Sequence, residues 1–281
     1  MNKGITFMFF ATIFFMVVKI FVKMLPHIPP MEIVFFRCLI SFLITYYLLK
    51  RKGNNILGTN RSLLMMRGIF GTIGLYCYFV ILQEIPLATA STLIYFTPLF
   101  TSLVGVFLLR EKMSIIQWIL LLIAFFGIIL IQGFDSRVNI FYLLIGLGGS
   151  LCAAFAYSII RYLRDKEHSL VLMIYFPMIA FPIGGLISIF NWVQPNLIDL
   201  FLLILIGVFT QFAQYFMTKA FQSEKVSKVS IVSYSELVFV LLIGNIFFDE
   251  KFEFLVYLGM ILVTFGVVFN ILLARNDKKY I

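Results

Sequence analysis

Two ionisable side chains stand deep inside long apolar runs of this sequence. Glu236 comes about eight residues into the run 228-248, and Arg37 about six residues into 31-49. If these runs are helices, a rise of about 1.5 Å per residue puts Glu236 about 12 Å and Arg37 about 9 Å from the nearer helix ends. A carboxylate is too short to reach water from that depth, and an ionisable group inside a membrane marks a substrate or ion pathway by default. The other reading of Glu236 is a protonated carboxyl hydrogen-bonded to a neighbouring helix. Arg37 shares a helical face with Ser41 and Thr45 through i, i+4 spacing. It could pair with Glu236, hold an anionic part of a substrate or satisfy backbone carbonyls.

Uncharged polar residues fall on related faces. Gln211, Gln214, Tyr215 and Thr218 form a polar stripe that cannot face lipid without cost. Ser91, Tyr95, Pro98, Ser102 and Gly105 follow one another at helical spacing, and Pro98 removes a backbone hydrogen bond and can kink its helix. Arg67, Gly71, Gly74 and Tyr78 repeat that spacing, with the glycines read as helix-packing positions. The predicted substrate-binding set is Glu236, Arg37, Tyr78, Tyr95, Gln211, Gln214, Tyr215 and Ser233. Lys19 and Arg67 lie nearer the ends of their runs, where long side chains are expected to reach the interface.

Other chemistry finds no residues to work with. There is no GxxxxGK[ST] phosphate loop to use ATP, and His27 and His168 cannot build a histidine metal cluster. Cys38, Cys77 and Cys152 are an odd number without CxxC spacing and read as apolar thiols. No cofactor or metal is expected, and no acid, base and nucleophile set suggests an enzyme.

The elements that must position these groups follow from composition. The chain has 281 residues, 62% of them apolar and 12% charged, with a mean hydropathy of +1.05. Soluble domains carry roughly 25% charged residues, so this is a polytopic membrane protein. Its net charge of +9 sits in short loops and forms no continuous patch, so nucleic acid is not an expected partner. Ten runs are long enough to span: 4-22, 31-49, 63-82, 87-109, 115-132, 140-160, 170-190, 199-219, 228-248 and 254-274. Because these runs are apolar throughout, a β-barrel with its alternating strands is excluded. With the N-terminus cytoplasmic, sixteen Lys and Arg residues fall on the inner side against three outside, which puts both termini in the cytoplasm.

The chain also resembles itself. Residues 68-131 laid without a gap on 207-270 agree at 13 of 64 positions. Nine of these are residues that an apolar bias does not supply, among them Gly68/Gly207, Tyr76/Tyr215, Tyr95/Tyr234, Glu111/Glu250 and Gly127/Gly266. The matched spans are five apart, and an odd number of crossings reverses direction, so the two copies should be inverted. Inverted repeats of this kind build secondary transporters, with the substrate near the midplane between the halves.

Residues 67-131 carry a further likeness. An Arg-Gly opens span 3, a Pro-Leu-Ala opens span 4, a Thr-Pro lies within it, and a Gly and a terminal Glu follow. In this the chain resembles the EamA-type permeases of the drug/metabolite transporter superfamily over nearly its whole length. The second half departs from the pattern, with Leu237 in the place of Pro98 and Glu236 in that of Thr97. The resemblance implies an all-α bundle of ten transmembrane helices in two inverted five-helix repeats, 1-135 and 136-281, in the cell (inner) membrane. It also implies that Glu111 and Glu250 act at the gates between repeats, although each can equally be read as a solvated loop charge.

The expected function is secondary transport by alternating access. The cargo is expected to be a small polar or amphipathic metabolite: amino-acid, nucleoside-like or S-adenosylmethionine-like. Protons are the candidate coupling ion through Glu236, and the protein is expected as a monomer or a homodimer. Spans 3, 4, 8 and 9 should line the cavity, with 1 and 6 as further candidates. The alternative is a non-transporting assembly or receptor protein whose polar stripes only hold helices together.

Overall fold

A computed structural model describes residues 3-53, 55-85, 93-132, 139-238 and 253-276. Every regular element among them is helical. In a bilayer core each backbone N–H and C=O must find a partner within the protein, and a helix supplies these partners from its own segment.

The helices, in order, are α1 (Lys3–Lys23), α2 (Pro30–Arg51), α3 (Arg61–Glu84), α4 (Phe96–Phe107), α5 (Ile115–Gln132) and α6 (Ile140–Tyr162). There follow α7 (Ser169–Ser188), α8 (Leu197–Ser223), the short α9 (Val226–Ser230) and α10 (Phe254–Asn276). Six of them, α1, α2, α3, α6, α7 and α8, are long and apolar enough to cross a membrane, and Phe96–Phe107, Ile115–Ile131 and Phe254–Asn270 are shorter apolar helices. The expected spans 87-109 and 228-248 fall only partly within the described residues, and Glu250 lies outside them.

Packing pairs the helices in a fixed pattern. α1 lies on α8, α2 on α7, α3 on α6 and α5 on α10, while α4 packs on α6 and α9. Glycines set the closest approaches: a Cβ at Gly68 would lie 2.7 Å from the Tyr175 carbonyl oxygen, and one at Gly207 would lie 2.6 Å from Ile40 Cβ. At the α5–α10 crossing, a Cβ at Gly127 or at Gly266 would likewise come within 2.7 Å of a backbone oxygen of the facing helix.

Two helices are interrupted near the centre of the bundle. Pro98, in the first turn of α4, has no N–H to give the Ile94 carbonyl, and the chain turns at Tyr95. In the second half α9 passes into a 3₁₀ turn, Ile231–Tyr234, without any proline. There the Ser233 and Ser235 hydroxyls donate to the Ser230 and Val232 carbonyls at 2.5 and 2.7 Å, local bonds that compete with helical ones.

Candidate functional site

Between these interrupted segments and α1, α2, α3, α6, α7 and α8 lies a cavity of about 260 Å³. Among the described residues, neither α5 nor α10 contributes to its wall. Glycines at 71, 74, 146 and 149, with Ala153 and Ala156, form much of the α3 and α6 surface. Small side chains on both helices leave the room: at the α3–α6 crossing a Cβ at Gly74 would stand 3.0 Å from the Gly149 carbonyl oxygen.

Glu236 lines this cavity, and its Oε1 lies 2.9 Å from Lys19 Nζ. The Glu236 side chain is 12% exposed and that of Lys19 46%, so the pair meets at the cavity rather than in the packed core. Lys19 also stands 5.8 Å from the centre of the Tyr95 ring. Its expected place at the interface is therefore wrong: α1 turns this position inward, and a buried carboxylate there favours a cation.

Arg67 departs from expectation in the same way. It is only 2% exposed, and its guanidinium carbon lies 5.4 Å from the Phe176 ring centre across the α3–α7 contact. Gly71 makes this possible, because a Cβ one turn along α3 would lie 2.6 Å from Arg67 Nη1. Arg37 reaches the same cavity from α2. The Nε of Arg37 and that of Arg67 are both buried and have no hydrogen-bond acceptor among the described residues. Lys19, Arg37 and Arg67 thus face one carboxylate, Glu236, in a common space.

Tyr78, Tyr95 and Gln214 line the cavity with these charges. Three other expected binding residues do not. Gln211 Nε2 donates to Thr45 Oγ1 at 2.7 Å, and Thr45 Oγ1 donates to the Ser41 carbonyl at 2.7 Å, so Gln211 joins α8 to α2. Tyr215 is 37% exposed on the outer surface of α8, with Phe216 and Lys219 beside its ring. Each residue advances about 100° around a helix, so neighbours 214 and 215 cannot share the inward face. Ser233 uses its hydroxyl within the 3₁₀ turn. Tyr157, which falls on one helical stripe with Gly146, Gly149 and Ala153, stands in the cavity wall as well; Phe176 joins it there unforeseen, since an aromatic in an apolar run carries no signal that it faces a pocket.

At the end of the bundle where α6 and α8 finish, Glu111 joins the halves. Arg161 Nε donates to its Oε1 at 3.0 Å, and the Val226 backbone N–H donates to its Oε2 at 2.9 Å. Arg161 Nη1 also donates to the Gln222 carbonyl at 3.1 Å. Burial pushes the Glu111 carboxyl above its usual range, and the Arg161 guanidinium only partly offsets this. Beside this cluster Glu167 Oε1 accepts from the Thr59 and Asn60 backbone N–H groups, each at 2.7 Å, and from Thr59 Oγ1 at 2.6 Å. It thereby caps the start of α3, where Asn60 makes no side-chain cap of its own.

A bundle of membrane-length helices, interrupted near its centre around a charged cavity, has the architecture of a transporter. The EamA-like transporter family model matches residues 2–133 and again 140–272, and the chain belongs to that family. It is 30% identical to the pseudopaline exporter CntI of Pseudomonas aeruginosa, over 99% of this chain and 98% of that one. It is 28% identical to solute carrier family 35 member G1 of Mus musculus, over 88% and 72% of the two chains. With the S-adenosylmethionine uptake transporter of Rickettsia prowazekii the identity is 25%, over 78% and 75%. A solved crystal structure covering 97% of this chain and 98% of its own superposes with a TM-score of 0.85 at 17% identity, which speaks to the fold. The chain is a multi-pass membrane transporter of this family.

Proposed function

We propose that the chain is a secondary transporter that carries a small polar metabolite across the membrane by alternating access between two inverted halves, 1-135 and 136-281. The observation that carries this reading is the cavity itself, walled by helices of both halves and holding the Lys19–Glu236 pair. The helix pairing supports the inversion. Exchanging each helix for its counterpart 139 residues along turns α1–α8 into α6–α3, turns α2–α8 into α7–α3, and leaves α2–α7 and α5–α10 unchanged. Paired glycines follow the same rule, since Gly68 packs on α7 and its repeat partner Gly207 on α2.

With both termini cytoplasmic, the Glu111–Arg161 cluster lies at the cytoplasmic end and holds the cavity closed on that side. The positive-inside distribution of Lys and Arg supports this assignment. Transport then requires the cluster to part while the outer ends of the helices close. Glu250, the repeat counterpart of Glu111, is the proposed gate residue on the other face.

Glu236 is the proposed coupling residue, because it is the carboxylate that faces the cargo space. The test is transport by reconstituted proteoliposomes with an imposed pH gradient. Glu236→Gln should abolish the dependence on the gradient, and Lys19→Gln should reduce transport with it. If Glu236→Gln left both rate and pH dependence unchanged, proton coupling through this residue would be wrong. A cavity that a reagent could reach from one face only, in every condition, would sink alternating access.

A further inference from the structure

We infer that the cargo is a small metabolite bearing two carboxylates, one held by Arg37 and the other by Arg67. This rests on the transport reading and narrows it to a substrate class. The cavity wall carries three cations and one carboxylate. Lys19 and Glu236, 2.9 Å apart, offset each other's charge, which leaves two guanidinium groups without a counter-charge among the described residues. Arg67 is 2% exposed, and its Nε, like that of Arg37, is buried without an acceptor.

An unpaired buried cation is costly, and such groups persist where a partner completes them. The arrangement around Arg67 is built to hold the charge in place: Phe176 stacks against it, and Gly71 leaves the space its Nη1 occupies. A guanidinium presents a planar fork of donors that matches a carboxylate in two parallel hydrogen bonds. Since the two forks come from α2 and α3, which each pack on α7 and not closely on one another, they suit two separate anionic groups rather than one. Drug-sized ligands occupy pockets of roughly 300 to 1,000 Å³, and a volume of about 260 Å³ fits a smaller molecule. The bound anion would also neutralise the cavity, so that the loaded carrier crosses between states with its buried charges matched.

The experiment is thermal unfolding of the purified full chain in lipid nanodiscs with glutarate, butyrate, glutaramide or inorganic phosphate. Glutarate should raise the unfolding temperature, butyrate should do so more weakly, and glutaramide, the same length without charge, should have no effect. Arg37→Gln and Arg67→Gln should each weaken glutarate binding by about tenfold or more. Arg37→Gln should not lower the unfolding temperature of the empty protein, because it removes an unpaired buried charge; a merely structural arginine would do the opposite. Should Arg67→Gln fail to fold, Arg37→Gln and the ligand series on the unmodified chain still decide the matter. Equal response to glutarate and glutaramide, no response to glutarate, or a stronger response to phosphate would overturn the assignment. Access to an Ala153→Cys thiol from both membrane faces, measured in parallel, would keep the transport reading standing if the substrate class fell, and access from one face alone would remove both.

Discussion

The Tyr234 hydroxyl donates to the backbone carbonyl of Tyr95 at 3.0 Å, and these two residues stand 139 positions apart, the offset at which the sequence repeats. Their rings meet edge to face at 6.2 Å, both buried. The two interrupted helices are therefore joined at matching points, next to the cavity that Tyr95 lines. Tyr234→Phe keeps the ring and removes the bond, and should lower stability by about 1 kcal/mol. Thermal unfolding of the two proteins checks it; an unchanged unfolding temperature would mean the bond contributes nothing.

The inward and outward faces of α8 give a sharper contrast. Gln214→Ala should raise the KM for transport severalfold, because the amide is on the cavity wall. Tyr215→Leu, one residue on, should leave KM unchanged, since that ring is on the outer surface. Gln211→Ala should reduce stability by about 1 kcal/mol through the lost bond to Thr45. Kinetics of the three variants side by side, with unfolding curves, separate lining from packing.

Glu111→Gln should favour the state open to the cytoplasm. It weakens the contact with Arg161 at 3.0 Å that ties α6 to the end of α4, while keeping the shape of the side chain. A ligand or mutation shifts such an equilibrium only by its differential effect on the two states, and loss of one charge-assisted contact is worth roughly tenfold in population. Labelling of an Ala153→Cys thiol by an impermeant maleimide, in a background lacking Cys38, Cys77 and Cys152, should become faster from the cytoplasmic face. Slower labelling from that face would show that the cluster does not hold it closed.

Glu167 gives the fold a pH dependence of known sign. Burial works to raise its carboxyl, but hydrogen bonds from Thr59 and Asn60 prevail and hold it below the usual range. An acid lowered on folding stabilises the fold above its unfolded value, about 4.3, and loses that contribution as pH falls through the lower folded value. Glu167→Gln should therefore cost roughly 1.5 to 3 kcal/mol at neutral pH, the range for hydrogen bonds to a charged group. The gap between variant and wild type should narrow once the solution is acidified below the folded value. Unfolding measured across that range would contradict the assignment if the gap stayed constant.

Much of the membrane architecture was legible from the chain. Apolar runs and their length announced the helices, because a bilayer admits little else, and the recurrence of Gly68, Tyr95 and Gly127 at a fixed offset pointed to two copies of one unit. Glu236 and Arg37 drew notice for the same reason: a charge at that depth needs a compensating circumstance. What the sequence could not supply was which cation meets which anion. Lys19 looked close enough to a helix end to reach water, and Arg67 likewise, because depth along a helix says nothing about rotation around it.

The tertiary structure decided those rotations. It turned Lys19 towards Glu236 and Gln214 into the cavity while leaving Tyr215 outside, one hundred degrees away, and it opened a space over Gly71 for Arg67. Apolar patterning fixes only that a helix spans, since lipid and protein interior are equally apolar and exert no strong preference on a Leu or a Phe. The facing of each helix is set by close packing at its glycines, and such contacts exist only once the partner helix is in place.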